Sequence, residues 1–266
     1  WGPGRPGWHI ECSAMATGLL GPELDIHCGG EDNIFPHHEA EIAQSECVTG
    51  QPFVRLWMHC RHLQVEGCKM AKSAGNFFTL RDLVEKGWSG REVRYALLSV
   101  KYREPLNFTF EGLAAARAAL QRLDEWTLRL RDVASAAKGD QPLEGLDAFG
   151  KALDDDLNIS AALAAIFDTI RLSNRRMDQG TLTPDEAAHL LKWLLGVNSV
   201  LSLDPEATAL PDAIAGLLAR RAEARASKEW TLSDQLRDEI LAAGWIVKDT
   251  KDGQKTTPAP PAATTH

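Results

Sequence analysis

Three short segments near the start of the chain carry side chains that could hold a metal and bind phosphate. They are residues 7–12 (GWHIEC), 35–41 (FPHHEAE) and 69–73 (KMAKS). On a helix that opens after Pro36, His37 and Glu41 lie one turn apart on the same face, whereas His38 and Glu39 are expected to point to other sides. With Cys12 they offer the imidazole, carboxylate and thiolate ligands that a tetrahedral Zn²⁺ accepts.

The third segment is a short basic loop of the kind that binds phosphates. Its two lysines, Lys69 and Lys72, lie between Gly67 and Gly75, and glycine on both sides permits the loop to move. A mobile ammonium group can stabilise the negative charge that develops at a phosphate under attack. A sulfur-binding metal beside such a loop indicates an enzyme that activates a sulfur-containing substrate with a nucleotide.

Each of these features also has an ordinary structural interpretation. A single cysteine is usually a small buried apolar residue, and a histidine and a glutamate four residues apart on a helix usually form a surface pair. A short basic loop is usually a solvated turn. Trp8 by itself predicts core packing.

Composition limits the class of protein. The 266 residues are 44% apolar and 25% charged, which is ordinary for one to three globular domains. No apolar run approaches the ~18 residues of a membrane span. Five cysteines, all in the first quarter of the chain, favour a reducing, cytoplasmic location over a disulfide framework. The net charge of −8 argues weakly against nonspecific nucleic-acid binding but does not exclude tRNA, since local arginine clusters make phosphate contacts.

Residues 1–75 predict strands, glycine turns and one helix. Residues 24–28 read as a buried strand that ends at Gly29-Gly30, a helix is predicted from Pro36 to about Cys47, and residues 56–65 alternate as a strand. This order fits the second half of an open parallel sheet, whose ligands bind at the carboxyl ends of the strands. There Gly29 and Gly30 permit close approach of a nucleotide, and Asp32 can accept ribose hydroxyl groups.

From Thr79 onward the apolar residues follow a helical period. Long Ala/Leu-rich helices are predicted over 110–135 and 144–201, interrupted near Gly139–Pro142, and residues 204–211 read as a linker. A helical pair over 214–226 and 232–242 ends at Gly244, and Trp245–Val247 predicts a short strand. The proline- and threonine-rich residues after it predict a disordered tail.

Several stretches resemble cysteinyl-tRNA synthetases, a family of class I aminoacyl-tRNA synthetases. The resemblance covers nearly the whole chain and rests on residues 4–15 (GRPGWHIECSAM), 24–46 (LDIHCGGEDNIFPHHEAEIAQSE), 69–77 (KMAKSAGNF), 94–99 (RYALLS), 102–108 (YREPLNF), 154–158 (DDDLN) and 230–252.

The resemblance implies an α/β region followed by a mostly α region. The expected parts are the C-terminal half of a Rossmann-like catalytic domain, a stem-contact connection, a helical anticodon-binding-type bundle, a small mixed α/β anticodon-recognition unit and a disordered tail. Their expected bounds are 1–78, 79–109, 110–203, 212–253 and 254–266. The family's HIGH-type motif and a further zinc-binding cysteine do not occur in the sequence, so the chain is expected to lack an N-terminal part and to be inactive alone.

For the metal and the amino acid, the resemblance implies one Zn²⁺ on Cys12, His37 and Glu41. Trp8 matches a tryptophan that lines the cysteine pocket. His9 and His27 match a cluster of active-site histidines, His9 with a catalytic role and His27 on the ATP side. A metal suits the substrate, since pocket shape separates cysteine from serine only by about 10²-fold and zinc prefers the thiolate.

For ATP, which is expected to act with Mg²⁺, the lysine loop resembles the KMSKS signature, with Ala71 in place of the central serine. Lys69 and Lys72 are the expected catalytic lysines, and Lys72 matches the lysine that contacts the phosphates. Gly29, Gly30, Asp32 and His27 complete the expected ATP site.

For tRNA, four residues match the family's anticodon-reading surface: Arg225, Trp230, Asp234 and Asp249. Arginine and aspartate can hydrogen-bond splayed base edges, and an aromatic face can stack on a base. The alternative interpretation is an amphipathic helix with a packed tryptophan, and Trp230 can serve both roles.

The function implied is that of a cysteine–tRNA ligase, monomeric and free of membranes, with L-cysteine, ATP and cysteine tRNA as partners. Two alternatives stay open. One is a ligase that joins activated cysteine to an amino sugar in low-molecular-weight thiol synthesis, which needs zinc and the lysine loop but no anticodon reader. The other is a non-catalytic tRNA-binding paralogue.

Overall fold

In a computed structural model, the described residues are 2–139, 141–204, 211–250 and 253–258. The chain forms two compact units. The first consists of Trp1–Phe77 and Arg94–Ser202, and the second of Phe78–Val93 and Leu203–His266. The predicted connection over 79–109 is therefore divided between the two units after Val93.

The first unit opens with two helices and two strands. Strand β1 pairs in parallel with β2, from Leu24 opposite Val54 to Gly30 opposite Cys60. The Ser13 hydroxyl of α1 donates to the Gln44 side-chain oxygen of α2 at 2.7 Å, which holds these helices together. The elements are α1 (Trp8–Leu20), β1 (Leu24–Gly30), α2 (Glu39–Thr49) and β2 (Val54–Cys60).

Of two predictions for this region, one is confirmed and one needs correction. The backbone is extended at Phe35, and the π-helical turn over Ile34–His38 continues directly into α2, so the helix predicted from Pro36 is present. The strand predicted to be buried has only one buried residue, Leu24. Within the described residues its sheet contains only β1 and β2, and Asp25, Ile26 and Cys28 are exposed.

The single strand predicted over 56–65 is divided between two sheets, because the chain turns after Cys60. Strand β3 (Leu63–Val65) is the middle strand of the second sheet. It pairs antiparallel with β4 (Cys68–Lys69) and in parallel with β5 (Leu106–Phe108). The turn from β3 to β4 is fixed by the Asn107 side chain, which accepts a hydrogen bond from the Gly67 amide at 2.8 Å.

Four helices complete the first unit, and α5 packs against α7 and α8. Each of the three longest begins at a capping side chain that accepts a backbone amide hydrogen, as the sequence favours. Inside the bundle the buried Trp126 indole donates to the Ser173 hydroxyl at 2.7 Å. The helices are α5 (Phe110–Ala134), capped by Thr109, α6 (Ala148–Asp154), α7 (Ile159–Asp178), capped by Asn158, and α8 (Pro184–Leu201), capped by Thr183.

The turn between α6 and α7 is tied to the segment before β5. Arg103 donates two hydrogen bonds to the Asp156 carboxylate, at 2.5 and 3.0 Å, and the Tyr102 hydroxyl donates a third at 2.7 Å. These bonds, those of Arg103 first, lower the pKa of Asp156 to about 2. The DDDLN motif therefore has a structural role in joining two parts of the unit.

The second unit contains a helical hairpin followed by a strand hairpin. Helix α9 packs on α10, and the buried Ile214, Leu236 and Ile240 form its core. Strands β6 and β7 pair antiparallel from Trp245 opposite Pro258 to Thr250 opposite Gly253. The elements are α3 (Leu80–Glu85), α9 (Asp212–Ala226), α10 (Trp230–Ala242), β6 (Trp245–Thr250) and β7 (Gly253–Pro258), while α4 (Gly90–Leu98) begins here and ends in the first unit.

The predicted disorder after Gly253 is wrong for residues 254–258, because all five pair with residues of β6. The rest of that tail, 259–266, and most of the predicted linker, 205–210, lie outside the described residues. None of the helices among the described residues is both long enough and apolar enough to cross a membrane.

Candidate functional site

Seven polar side chains from α1, β1, the π-helical turn, α2 and β2 converge in the first unit. The parallel pairing of β1 and β2 sets Gly29 opposite His59 and His27 opposite Trp57, so side chains of both strands reach the start of α2. We call this group the imidazole cluster: His9, Cys12, His27, His37, His38, Glu41 and His59.

The structure brings Cys12, His37 and Glu41 together, with one ligand atom of each within 4.8 Å of the others. Glu41 is fully buried at 0% exposure, and its Oε2 atom has no hydrogen-bond partner. A buried carboxylate without a compensating cation is costly. This orphaned oxygen and the sulfur, nitrogen and oxygen donors fit a borderline divalent cation such as Zn²⁺.

Two residues at the start of α1, Trp8 and His9, contact the ring of His37. His9 Nδ1 lies 2.7 Å from His37 Nδ1, so the ring nitrogen of His37 that faces away from Glu41 already has a partner. Trp8 stacks on the same ring with the centroids 3.9 Å apart, yet it remains 57% exposed. His9 therefore orients the ring of His37, a candidate metal-binding residue. The face of Trp8 that does not stack on His37 is exposed next to that ring.

A second set of three donors shares the same carboxylate: His27, His38 and Glu41, again within 4.8 Å. His27, predicted to face ATP, lies against Glu41 and stacks on Trp57 at 4.8 Å between centroids. Burial, helped by His27, His59 and His37 nearby, lowers the pKa of His38 to about 4.

The expectation that His38 points away from the metal ligands is wrong. Its Nε2 atom lies 3.9 Å from Glu41 Oε2. Residues three apart on a helix are neighbours as well as residues four apart, so His38 shares the face of Glu41 with His37. The spacing could have indicated this.

Gly29 and Gly30 have a packing reason in addition to their expected nucleotide role. A Cβ atom on Gly29 would lie 2.6 Å from the His38 ring, and one on Gly30 would lie 2.6 Å from an Asp32 carboxylate oxygen. Glycine at 29 thus makes room for His38. Asp32 lies in the short 3-10 turn Glu31–Asn33 and is exposed.

The lysine loop begins at Lys69, the last residue of β4, and one amide side chain holds it. Asn76 accepts a hydrogen bond from the Ala71 amide at 2.9 Å and donates to the carbonyls of Val65 and Lys69 at 3.3 and 3.2 Å. The Lys72 ammonium lies 5.3 Å from the centre of the Phe77 ring. Asn76 was missed in the sequence, although it follows the loop directly after Gly75, where an anchoring amide is expected.

In the second unit, three of the four residues expected to read tRNA lie together. The Arg225 guanidinium lies 5.7 Å from the centre of the Trp230 ring and 3.2 Å from Asp249. Trp230 is 57% exposed. Asp234 is exposed. Its negative charge helps to raise the pKa of Arg221, a buried residue that contacts Asp249.

Arg221 is the residue that sequence reasoning missed here. It is buried, donates to both oxygens of Asp249 at 2.9 and 3.0 Å, and also donates to the Gln254 side chain. Its hydrogen bonds lower the pKa of Asp249. The signal was its position on the apolar face of α9, seven residues after Ile214 and three before Ala224.

Three family models match the chain. The catalytic domain of class I tRNA synthetases (C) matches residues 1–118, the DALR domain matches 148–203, and the cysteinyl-tRNA ligase anticodon binding domain matches 207–255. The second unit thus carries most of the anticodon-binding match, and the imidazole cluster and lysine loop both lie in the catalytic-domain match.

Similar curated proteins carry the description cysteine–tRNA ligase. One from Chlamydia pneumoniae is 48% identical over 268 residues, which cover 97% of this chain and 56% of that protein. One from Protochlamydia amoebophila is 47% identical over 262 residues, covering 96% and 55%. The chain therefore spans about half the length of the curated relatives it matches.

A solved structure shares the fold. The LeuRS (agnB2) of Agrobacterium radiobacter K84, in a ternary complex with tRNA and LeuAMS, superposes with a TM-score of 0.61 at 15% identity, over 96% of this chain and 36% of that one. The predicted fold class, an α/β region of a class I synthetase followed by helical and anticodon-binding regions, is confirmed.

Proposed function

We propose that the chain works as part of a cysteine–tRNA ligase, because it matches cysteinyl-tRNA synthetases over nearly its whole length. The reaction would activate L-cysteine with ATP and transfer it to cysteine tRNA. The observation that carries the proposal is the Cys12–His37–Glu41 set around a buried carboxylate oxygen without a hydrogen-bond partner. These residues and the KMSKS-like loop both fall within residues 1–118, which match the class I catalytic-domain model, and this supports the proposal.

In this proposal Cys12, His37 and Glu41 hold Zn²⁺. When bound, the zinc supplies a Lewis acid that accepts the substrate thiolate and discriminates against the hydroxyl of serine. His9, 2.7 Å from the second ring nitrogen of His37, fixes the orientation of that ring. The exposed face of Trp8 next to it is suited to line the cysteine pocket.

For the adenylation step we propose that Lys72 approaches the phosphates and that Lys69 adds positive charge. Among the described residues, the Lys72 ammonium lies against the Phe77 ring and not against a carboxylate. The side chain can therefore move to a phosphate without breaking an ion pair. Gly29, Gly30 and Asp32 are proposed to contact the nucleotide. His27 is the weakest of the proposed ATP contacts, because Glu41 and Trp57 already engage it.

For tRNA we propose that the exposed Trp230 ring and Arg225 contact anticodon bases, with Asp234 beside them. Asp249 is proposed to act mainly by positioning Arg225, since Arg221 occupies both of its oxygens. The match to an anticodon-binding domain favours this function over the amino-sugar ligase, which needs no such surface. A monomeric cytoplasmic enzyme that uses Mg²⁺ with ATP is part of the same proposal.

The test is aminoacylation by the longest polypeptide that carries these residues. We expect cysteine-dependent ATP–pyrophosphate exchange and charging of cysteine tRNA, with serine inactive. Lys72→Ala should slow the exchange by roughly 10²–10³-fold, the scale of losing one preorganised charge contact. Arg81→Ala, which removes an exposed basic residue shortly after the loop, is the matched control and should leave the exchange unchanged.

Each contrary result has a meaning. Exchange without tRNA charging, together with no tRNA binding, would favour the amino-sugar ligase. Binding of tRNA without any exchange would favour a non-catalytic tRNA-binding protein. Exchange that is unchanged by Lys72→Ala would remove Lys72 from its proposed role.

A further inference from the structure

Three imidazole rings surround one oxygen atom of Glu41. The Nε2 atoms of His27, His37 and His38 lie 3.2, 3.7 and 3.9 Å from Glu41 Oε2. This oxygen is buried and has no hydrogen-bond partner. The Cys12 set uses only one of the three rings, so two imidazoles remain beside the carboxylate without a role in that set.

The Nε2 atoms of both rings face Glu41, that of His27 also lying 3.4 Å from Glu41 Oε1, and the other ring nitrogens have partners of their own. His27 Nδ1 lies 3.3 Å from the Cys28 carbonyl, which can only accept, so a proton on Nδ1 satisfies this contact. His38 Nδ1 lies 2.8 Å from His59 Nε2, which can accept in the same way. Partners of this kind set the tautomer of metal-binding histidines.

The spacing of the donors also suits a metal. Two ligands of one tetrahedral zinc at its usual bond lengths lie about 3.4 Å apart. The separations from Glu41 Oε2 to His27 and His38, 3.2 and 3.9 Å, bracket this value. Gly29 keeps the space beside His38 open, since a Cβ there would lie 3.0 Å from His38 Nε2.

We propose that His27, His38 and Glu41 form a second, thiolate-free position for a borderline divalent cation, alternative to the position at Cys12, His37 and Glu41. The two sets share Glu41 and no other residue. Because both use the same carboxylate, one cation is bound at a time. The cation therefore has a position with nitrogen and oxygen ligands to occupy when Cys12 does not ligate it.

Co²⁺ is the probe, because a cobalt–thiolate bond gives an intense near-ultraviolet charge-transfer band that nitrogen and oxygen ligands do not give. The experiment compares two double variants of this chain that differ only in which of two adjacent histidines is lost. We expect Cys12→Ala/His37→Ala to bind one Co²⁺ per chain without the thiolate band. Cys12→Ala/His38→Ala should bind Co²⁺ at least about 10-fold more weakly. The unsubstituted chain should bind one Co²⁺ with the band.

Circular dichroism establishes that each variant is folded. If Cys12→Ala/His37→Ala fails to fold, Cys12→Ser/His37→Asn and Cys12→Ser/His38→Asn make the same comparison with less disruptive changes. Equal binding by the two double variants, loss of all binding when Cys12 and His37 are replaced in a folded chain, or two Co²⁺ per unsubstituted chain would overturn the proposal. None of these readouts depends on ATP or tRNA, so failure here is distinct from failure of the ligase function.

Discussion

Glu41 of the imidazole cluster and Arg221 of the second unit are both buried charged side chains, but their surroundings differ. Arg221, 1% exposed, has one buried atom without a hydrogen-bond partner, Nε, but it donates to both oxygens of Asp249 and to Gln254, so its charge is matched by a carboxylate in the same unit. Glu41, 0% exposed, is surrounded by imidazole rings, and one of its oxygens has no hydrogen-bond partner.

This difference separates a scaffold from a binding site. Removing a charge from water costs several kcal/mol, and the fold recovers that cost only when a partner is supplied. The second unit supplies the partner of Arg221 from its own sequence. The imidazole cluster supplies donors without a cation, an arrangement that is stabilised when a metal binds. Four predictions test this contrast, beginning with the largest expected effect.

Replacing Glu41 should have opposite effects on metal binding and on the metal-free fold. Glu41→Gln removes the charge and keeps the size, so zinc affinity should fall by at least about 100-fold, more than the loss of an outer-shell partner costs. Without metal, the free energy of unfolding should stay the same or rise, since an unpaired buried charge is gone. Competition with a chromophoric chelator and thermal unfolding in EDTA measure the two quantities.

The matched control is Glu39→Gln, an exposed glutamate on the same helix, which should change neither quantity. Unchanged zinc affinity in Glu41→Gln would contradict the metal site. A strong loss of metal-free stability would instead assign Glu41 a structural role like that of Asp249.

Replacing Asp249 should destabilise the second unit. Asp249→Ala leaves the Arg221 charge buried without its carboxylate, and we expect a loss of about 3 kcal/mol in the free energy of unfolding. This is the low end of the usual range, because Asp249 is itself 41% exposed. Arg225→Ala removes the exposed partner of the same carboxylate and should cost less than about 0.5 kcal/mol. Urea denaturation of both variants measures the difference, and equal losses would refute the distinction.

Arg225 and Asp234 should affect tRNA binding more than stability. If they contact anticodon bases, alanine at either position should weaken the binding of cysteine tRNA by about 1–3 kcal/mol. The difference in affinity between cysteine tRNA and an anticodon-swapped tRNA should then become smaller. The comparison needs one fixed salt concentration, because phosphate contacts make affinity fall with salt. Equal weakening for both tRNAs would assign these residues to the tRNA backbone.

The two half-exposed tryptophans should give the smallest stability effects. Trp8 stacks on His37, and Trp230 lies beneath Arg225, each with more than half of its surface exposed. Alanine at either position should change the free energy of unfolding by less than about 1 kcal/mol, the scale of one stacking contact. Trp8→Ala should weaken cysteine binding and leave tRNA binding intact, and Trp230→Ala should do the reverse. Isothermal titration with each ligand distinguishes them.

Much of this architecture follows from local pattern. The helices from Thr79 onward were indicated by apolar spacing, and their starts coincide with capping residues such as Thr109 and Thr183. Family resemblance located the segments that carry Cys12, His37 and the lysine loop. These features depend on residues near each other in the chain, for which periodicity and motif spacing are informative.

Tertiary structure decided which of these groups share a site. The sequence by itself determined the helical regions, the fold class and the ligand types at residues 12, 37 and 41. His38 lies beside Glu41 through helical spacing, but only tertiary structure placed His27 of β1 and Cys12 of α1 next to the same carboxylate. Likewise, only the β6–β7 hairpin placed Asp249 and Gln254 on the Arg221 guanidinium of α9. Burial and charge compensation depend on contacts between residues distant in sequence, which local spacing does not contain.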